Sequence, residues 1–333
     1  MLTLTHCVGF SYNPTMNLTC FTSFAAWKAY ATECVWRVMP EPPAQHMKPS
    51  WDLPQDILSE ISIQWPKVYD WPSATIWMQS LRDGLKQYVN LEPACIEQPF
   101  NHVVLFYLLY RTTRYTIAVD YSDHALINPE CLRMCSLYFR MQYANAGYGD
   151  QKIVPGGFIT YPLLYRFLPY VRALDSRSLK FDVYGRFGKE FGAEIRGSAI
   201  EKLRMQQRFR YTCTWDTVRY SRSLLEIAQS KVCVDLPGQG AFCFRLVDYL
   251  AVGACIIAYP HSTMLPVPLV NGKHIVYTKP DLSDLQDLCA YYVEHKDERQ
   301  MIASSARDYF DKYLHRSQLA CYYLKQIISC ISR

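Results

Sequence analysis

The chain has 333 residues, more than one core comfortably holds and about right for two α/β domains. Half of the residues are apolar and only 20% are charged, which excludes a disordered chain. The net charge of +5 is spread without a Lys/Arg block, which argues against nucleic-acid binding and suits an anionic substrate.

In chain order, the first 50 residues show little pattern beyond a helix around Phe24 to Trp36 and a break at Pro40-Glu41-Pro42-Pro43. A short strand is expected at Ile61 to Trp65 and a helix from Thr75 to Tyr88. Val103 to Tyr110 and Tyr115 to Asp120 read as buried strands, short and rich in β-branched or aromatic residues. Pro129 to Gln142 reads as a helix, Ile153 to Gly157 as a turn, and a Tyr-rich stretch runs to about Arg172.

A second strand–loop–helix series opens at Leu179 to Tyr184, with Gly185 to Gly188 as its first loop. A helix is expected at Ser221 to Gln229, a strand at Lys231 to Leu236, a helix at Phe242 to Val252 and a strand at Cys255 to Tyr259. Helices close the chain at Leu282 to His295, Glu298 to Tyr313 and Ser317 to Ile328. This alternation predicts βαβ units and parallel sheets in two Rossmann-like domains, with the boundary near residue 170. The expected division is 1–170 for the first domain and 171–333 for the second.

The thirteen cysteines follow no CxxC spacing. Cys131 and Cys135 lie one helical turn apart with no His or second pair at zinc spacing, so no metal is expected. Cys233, Cys243 and Cys255 fall in apolar runs as small hydrophobes, and a reducing, cytoplasmic setting is the simpler reading. No basic segment leads into an apolar core at the N-terminus, and the longest apolar run, Val103 to Tyr110, is far short of a membrane span. Peripheral contact with a membrane stays open. Asn17-Leu18-Thr19 fits a glycosylation sequon that has no meaning in a cytosolic chain.

The segment KVCVDLPGQGAFCFRLVDYLAVGACIIAY, from Lys231 to Tyr259, carries the strongest functional signal. A buried strand leads into Pro237-Gly238-Gln239-Gly240, where two glycines clear space for a ligand or a tight turn. The following helix aims unpaired N–H groups and its positive dipole end at the same spot. Arg245, in its first turn, can reach an anion, and Asp248 lies three residues on, where a carboxylate can accept from ribose hydroxyls. The plain alternative is an ordinary βα turn with a surface Arg–Asp pair, since neither a P-loop nor GxGxxG is present.

From Asp182 to Leu324 the order of motifs resembles the C-terminal domain of GT-B glycosyltransferases, in the exostosin-like branch, related bacterial enzymes and family 1-like enzymes. The carriers are DVYGRFG, RYSRSLLEIAQSKVCVDLPGQGAFCFRLVDYLAVGACII, PVPLVNGKHIVYTKPDLSDLQDLCAYYVEH and FDKYLHRSQLACYYL. The resemblance implies an α/β GT-B fold with a nucleotide-sugar donor as co-substrate and a glycan or other hydroxyl as acceptor. It places Arg245, Asp248 and Gly253 at donor-binding positions, with the amides of Gly238 and Gly240 on the diphosphate. Retaining members usually carry Glu eight residues before the ribose-binding acid. That position is Gly240 here, which leans the expectation towards inversion.

Arg186, after the domain's first strand, is a second candidate for the diphosphate. His261, at a strand end, is a candidate with a pKa suited to acid–base work. Arg222 reads as helix surface. For the base that deprotonates the acceptor, Asp120 at the end of YTIAVD and Asp123 or His124 just beyond are best placed, with turn capping as the alternative. A rival from another class is a non-catalytic nucleotide- or glycan-binding protein on the same fold, and a nucleotide-sugar epimerase is weaker still.

Overall fold

A computed structural model describes residues 24–38, 47–71, 73–174, 179–215 and 218–332. The sequon at Asn17 and the break at Pro40 to Pro43 lie outside these residues. Two sheets carry the architecture, of six and five strands.

In the N-terminal half, α1 (Phe24–Val38) and α2 (Gln55–Ser59) precede β1 (Ile61–Pro66), α3 (Ala74–Leu85) and β2 (Asn90–Ala94). Then come β3 (Val103–Tyr110), β4 (Thr113–Asp120), α4 (Pro129–Met134), β5 (Leu137–Arg140), β6 (Ile153–Pro155) and α5 (Pro162–Arg172). The sheet order is β2-β1-β3-β4-β5-β6, with β3 antiparallel to both neighbours and the remaining pairs parallel. Within this mostly parallel sheet β3 runs antiparallel for a geometric reason. Only Arg111 and Thr112 link β3 to β4, enough for a hairpin and far too short for a parallel crossover. Arg111 makes the turn at φ 55°.

The expected helix over Pro129 to Gln142 stops at Met134, where Cys135 swings to extended backbone, and Leu137–Arg140 is a strand. All four of its residues are buried between β4 and β6, and a short apolar run of that kind fits a buried strand as well as a helix. The turn expected at Ile153 begins instead as β6, which pairs with β5. The Tyr-rich stretch after it folds as α5, started by Pro162 in the first turn and containing Pro169.

In the C-terminal half, β7 (Phe181–Arg186), α6 (Ala193–Met205), β8 (Tyr211–Thr214), α7 (Tyr220–Ala228) and β9 (Ser230–Asp235) come first. They are followed by α8 (Phe244–Val252), β10 (Cys255–Ala258), β11 (Val276–Tyr277), α9 (Leu285–Glu294), α10 (Lys296–Tyr309) and α11 (Arg316–Ile331). Gly185 and Arg186 therefore belong to β7 rather than to the loop after it. The sheet order is β11-β10-β9-β7-β8 with every pair parallel, a doubly wound arrangement. The α/β class with two Rossmann-like halves is what the structure has.

One apolar cluster joins the halves. Trp77 of α3 stacks on Phe244 of α8 at 3.9 Å between ring centres, and Phe158 packs on Phe242. The last helix crosses back: Tyr323 of α11 stacks on Phe139 of β5 at 3.8 Å. A π-helical turn at Phe310–Leu314 and the break at His315 redirect the chain for that crossing. Since Tyr323 is buried among Phe139 and Tyr322, replacing it by Ala opens a cavity in this joint. Tyr323→Ala is expected to cost about 3–5 kcal/mol of folding stability, read from urea denaturation.

Candidate functional site

In the C-terminal sheet the winding direction reverses between β7 and β9, so a crevice opens beyond their carboxyl ends. Its walls are the loops at 187–192 and 236–243. The second loop also faces the N-terminal half, where Gln142 holds it. The Gln142 amide donates to Phe242 O at 2.8 Å and its oxygen accepts from Phe242 N at 3.3 Å and from Thr263 Oγ1 at 2.6 Å. A Cβ on Gly240 would fall 2.3 Å from Gln142 Nε2 and 3.2 Å from Asp123 O, so a side chain there would push Gln142 off its bonds. Across the same gap the Gln239 amide donates to His124 Nε2 at 3.4 Å.

At the bottom of the crevice Arg245 turns back towards the strand it follows. Its Nε donates to Asp235 at 2.9 Å, Nη2 to Leu236 O at 2.6 Å and Nη1 to Arg186 O at 3.2 Å, with Phe187 under the guanidinium at 4.6 Å. Burial lowers its pKa, but the Asp235 carboxylate, together with Tyr249 and Cys243, outweighs that and the net shift is upward. Arg196, on α6, lies beside it. It is buried, gives one hydrogen bond to Gly188 O at 2.7 Å, and leaves Nε without a partner. Burial and then the neighbouring Arg245 charge push its pKa down.

The backbone is cut to fit these arginines. A Cβ on Gly238 would meet Arg196 Nη2 at 3.2 Å, and Gly192, at φ 63°, caps the start of α6 with Pro237 O where a Cβ would be. Nor does any side chain cap α8, and its first turn holds no acid, so that N-terminus keeps its positive end open to the crevice.

Other sequence candidates go elsewhere. Arg186 forms a two-pronged pair with Glu226 at 2.6 and 3.1 Å and donates to Thr214, with Arg222 also on Glu226 at 2.8 Å. Asp248 does not share Arg245's partners: its carboxylate accepts from Tyr220 OH at 2.7 Å. His261 is boxed in. Nδ1 faces Thr263 O at 3.1 Å, so it carries the proton, and Nε2 accepts from Tyr277 OH at 2.7 Å. Burial lowers its pKa, so it stays neutral.

On the opposite wall, Asp120 is fully engaged. It accepts from Ser122 N and Oγ at 2.9 and 2.8 Å, from Arg140 Nη1 at 2.7 Å, and from Tyr138 OH. Arg140, wholly buried, also donates to Ser122 O at 3.1 Å, so this network shapes the turn that carries Asp123 and His124. His124 is exposed, and burial raises the pKa of Asp123 against the pull of His124, His102 and Arg140. The structure thus brings Gly240 and Gln239 against Asp123 and His124, sets Gly238 against Arg196 beside Arg245, and sends the side chains of Arg186, Asp248 and His261 into other networks.

Sequence reasoning missed Arg196, Asp235, Gln142 and Arg140. Asp235 had a signal: like Asp120 it closes a buried strand, and each is clamped by an arginine. No group of three or more His, Cys, Asp or Glu placed to hold a metal occurs among the described residues.

Burial raises the Asp248 carboxyl to about 7, partly offset by the Tyr220 bond and the Arg245 charge. The folded state then holds a proton between the ordinary Asp range and pH 7 that the unfolded chain has lost. Its contribution is present at low pH and fades as pH rises through about 7. Asp248→Asn, whose amide oxygen still accepts from Tyr220, is expected to flatten the fall in melting temperature between pH 5 and pH 8. A slope unchanged from the parent protein would refute the assignment.

Residues 167–321 match the model of a family described as glycosyl transferase-like, a stretch just under half of the chain. No curated protein matches the chain. With its doubly wound parallel sheet and its crevice at the switch point, the matched stretch has the arrangement of a GT-B glycosyltransferase C-terminal domain.

Proposed function

We propose that the chain transfers a sugar from a nucleotide-sugar donor to an acceptor hydroxyl, with the donor diphosphate between the 187–192 and 236–243 loops. The observation that carries this is a charge imbalance. Arg196 and Arg245 meet at the switch point over one carboxylate, Asp235, and Arg196 keeps an unpartnered Nε. A diphosphate supplies the missing negative charge, and the open N-terminus of α8 adds donors. Arginines and helix dipole then carry the leaving-group charge, so the proposed chemistry uses no metal.

The close seat of Gly240 against Gln142 supports the inverting alternative, since it leaves no room for a carboxylate side chain there. In that mechanism a base on the facing wall takes the acceptor proton. Asp120 spends its oxygens on four donors, so His124 is the better base, with Asp123 beside it. The free thiols at Cys34 and Cys95 suit a reducing, cytoplasmic setting, and no described helix is long and apolar enough to cross a membrane.

Titration calorimetry with UDP, GDP and ADP tests the grip. Arg196→Ala should weaken the preferred nucleotide roughly 10- to 150-fold, as loss of a bond between charged groups does. His124→Ala should lower kcat about 10²- to 10⁴-fold with nucleotide affinity intact. Equal nucleotide affinity in the parent and Arg196→Ala proteins would sink the assignment. The bonded state of Asp120 also favours a second reading, a nucleotide-binding protein without transfer activity, which predicts binding but no turnover on any acceptor.

A further inference from the structure

We propose that the open edge of the N-terminal sheet holds a second ligand site, for a monosaccharide-sized molecule bearing a phosphate or carboxylate. It goes beyond the donor crevice and shares no residue with it. A cavity of about 320 Å³ lies between the edge strand β2, the end of β1 and helix α3. That is the lower end of the size range of small-molecule sites, enough for one sugar ring and its charged substituent.

Its wall has two kinds of surface. Trp65, Tyr69 and Leu91 supply an apolar face, and Lys67, Arg82 and Lys86 supply three cations. No carboxylate is among the residues that line it. Arg82 is ion-paired with Asp83, but the two lysines beside it add positive charge around a concave surface that an anion would offset. Neither lysine ammonium has a hydrogen bond or an ion pair among the described residues. The Nε of Arg82 is buried and makes no hydrogen bond, its nearby carboxylate, Asp83, being 3.5 Å away.

The apolar wall is rigid. Trp65 is 2% exposed and stacked on Phe106 at 5.0 Å. Its Nε1 donates to Tyr69 OH at 2.7 Å, so the Tyr69 proton is left to donate onwards. An aromatic wall with a hydroxyl donor and three cations suits a ring whose one face is apolar and whose substituent is an oxyanion. A free inorganic anion would use the cations and leave the aromatic wall without a role.

The test is calorimetric titration of the full chain with glucose 1-phosphate, glucuronate, inorganic phosphate and glucose. Glucose 1-phosphate or glucuronate should bind with a Kd of about 1 mM or tighter, and which of them binds identifies the oxyanion. Inorganic phosphate should bind more weakly, and glucose should give no saturable heat. Lys67→Gln/Lys86→Gln, both on exposed side chains, should weaken the anionic sugar at least tenfold and leave nucleotide affinity unchanged. Arg82→Gln should do the same. The proposal is overturned if neither anionic sugar binds, if glucose or phosphate binds as well as they do, or if the lysine variant keeps full affinity. Because nucleotide binding is read on the same samples, failure here is distinguishable from failure of the donor crevice.

Discussion

The buried amide of Gln142 is the point through which the two halves are held in register. It uses both ends, giving to Phe242 O and accepting from Phe242 N and Thr263 Oγ1, so it binds the 236–243 loop and the loop after β10 at once. Beside it the chains run as a short ladder: Asn145 N to Ser262 O, Met264 N to Tyr143 O, and a bridge from Ala144 to Thr263. A buried amide satisfied in this way is directional where apolar packing is not, so it fixes one relative placement of the halves. Gly240 follows from it, since the amide occupies the space a side chain there would need. The gap where His124 meets Gln239 follows in turn.

The same logic repeats on each side of that gap. In the N-terminal half Asp120 closes β4 and is clamped by Arg140 from β5; in the C-terminal half Asp235 closes β9 and is clamped by Arg245 from α8. Each pair fixes the loop that follows its strand. Removing one partner would strand the other as a buried charge, which is far costlier than the pair is stabilising. These aspartates therefore read as scaffolding for the site, with chemistry left to groups that the loops present.

What the sequence made legible follows from the range of the forces involved. Val103 to Tyr110 was readable to the residue because its apolar and β-branched run needs no knowledge of its neighbours. The helix forecast through Leu137 to Arg140 failed because that run is buried on both faces, and only the flanking strands β4 and β6 decide its form. The antiparallel β3 was within reach, since two linking residues forbid a crossover. At the site, the glycine loop and the start of α8 were visible as a local pattern. The destinations of Arg245 and Asp248 were not: spacing places them near one face, yet Asp235 draws one and Tyr220, 28 residues away in sequence, holds the other. Arg196 is 42 positions before Gly238, so only the folded sheet brings it to the crevice.

The charge balance at the crevice bears on how a ligand would be held. Two guanidiniums lie side by side at the switch point with one carboxylate near them, bonded to Arg245, and burial together with like-charge repulsion already disfavours the charged form of Arg196. A desolvated cation without a full set of partners is a standing cost in the unliganded protein. An anion entering between the 187–192 and 236–243 loops would relieve that cost and gain its own charged hydrogen bonds. The relief grows with the negative charge on the ligand. A leaving nucleotide diphosphate carries more charge than the intact donor does, so the same arginines would hold the departing group more strongly than the bound substrate. Interactions that strengthen along the reaction are the ones that lower a barrier.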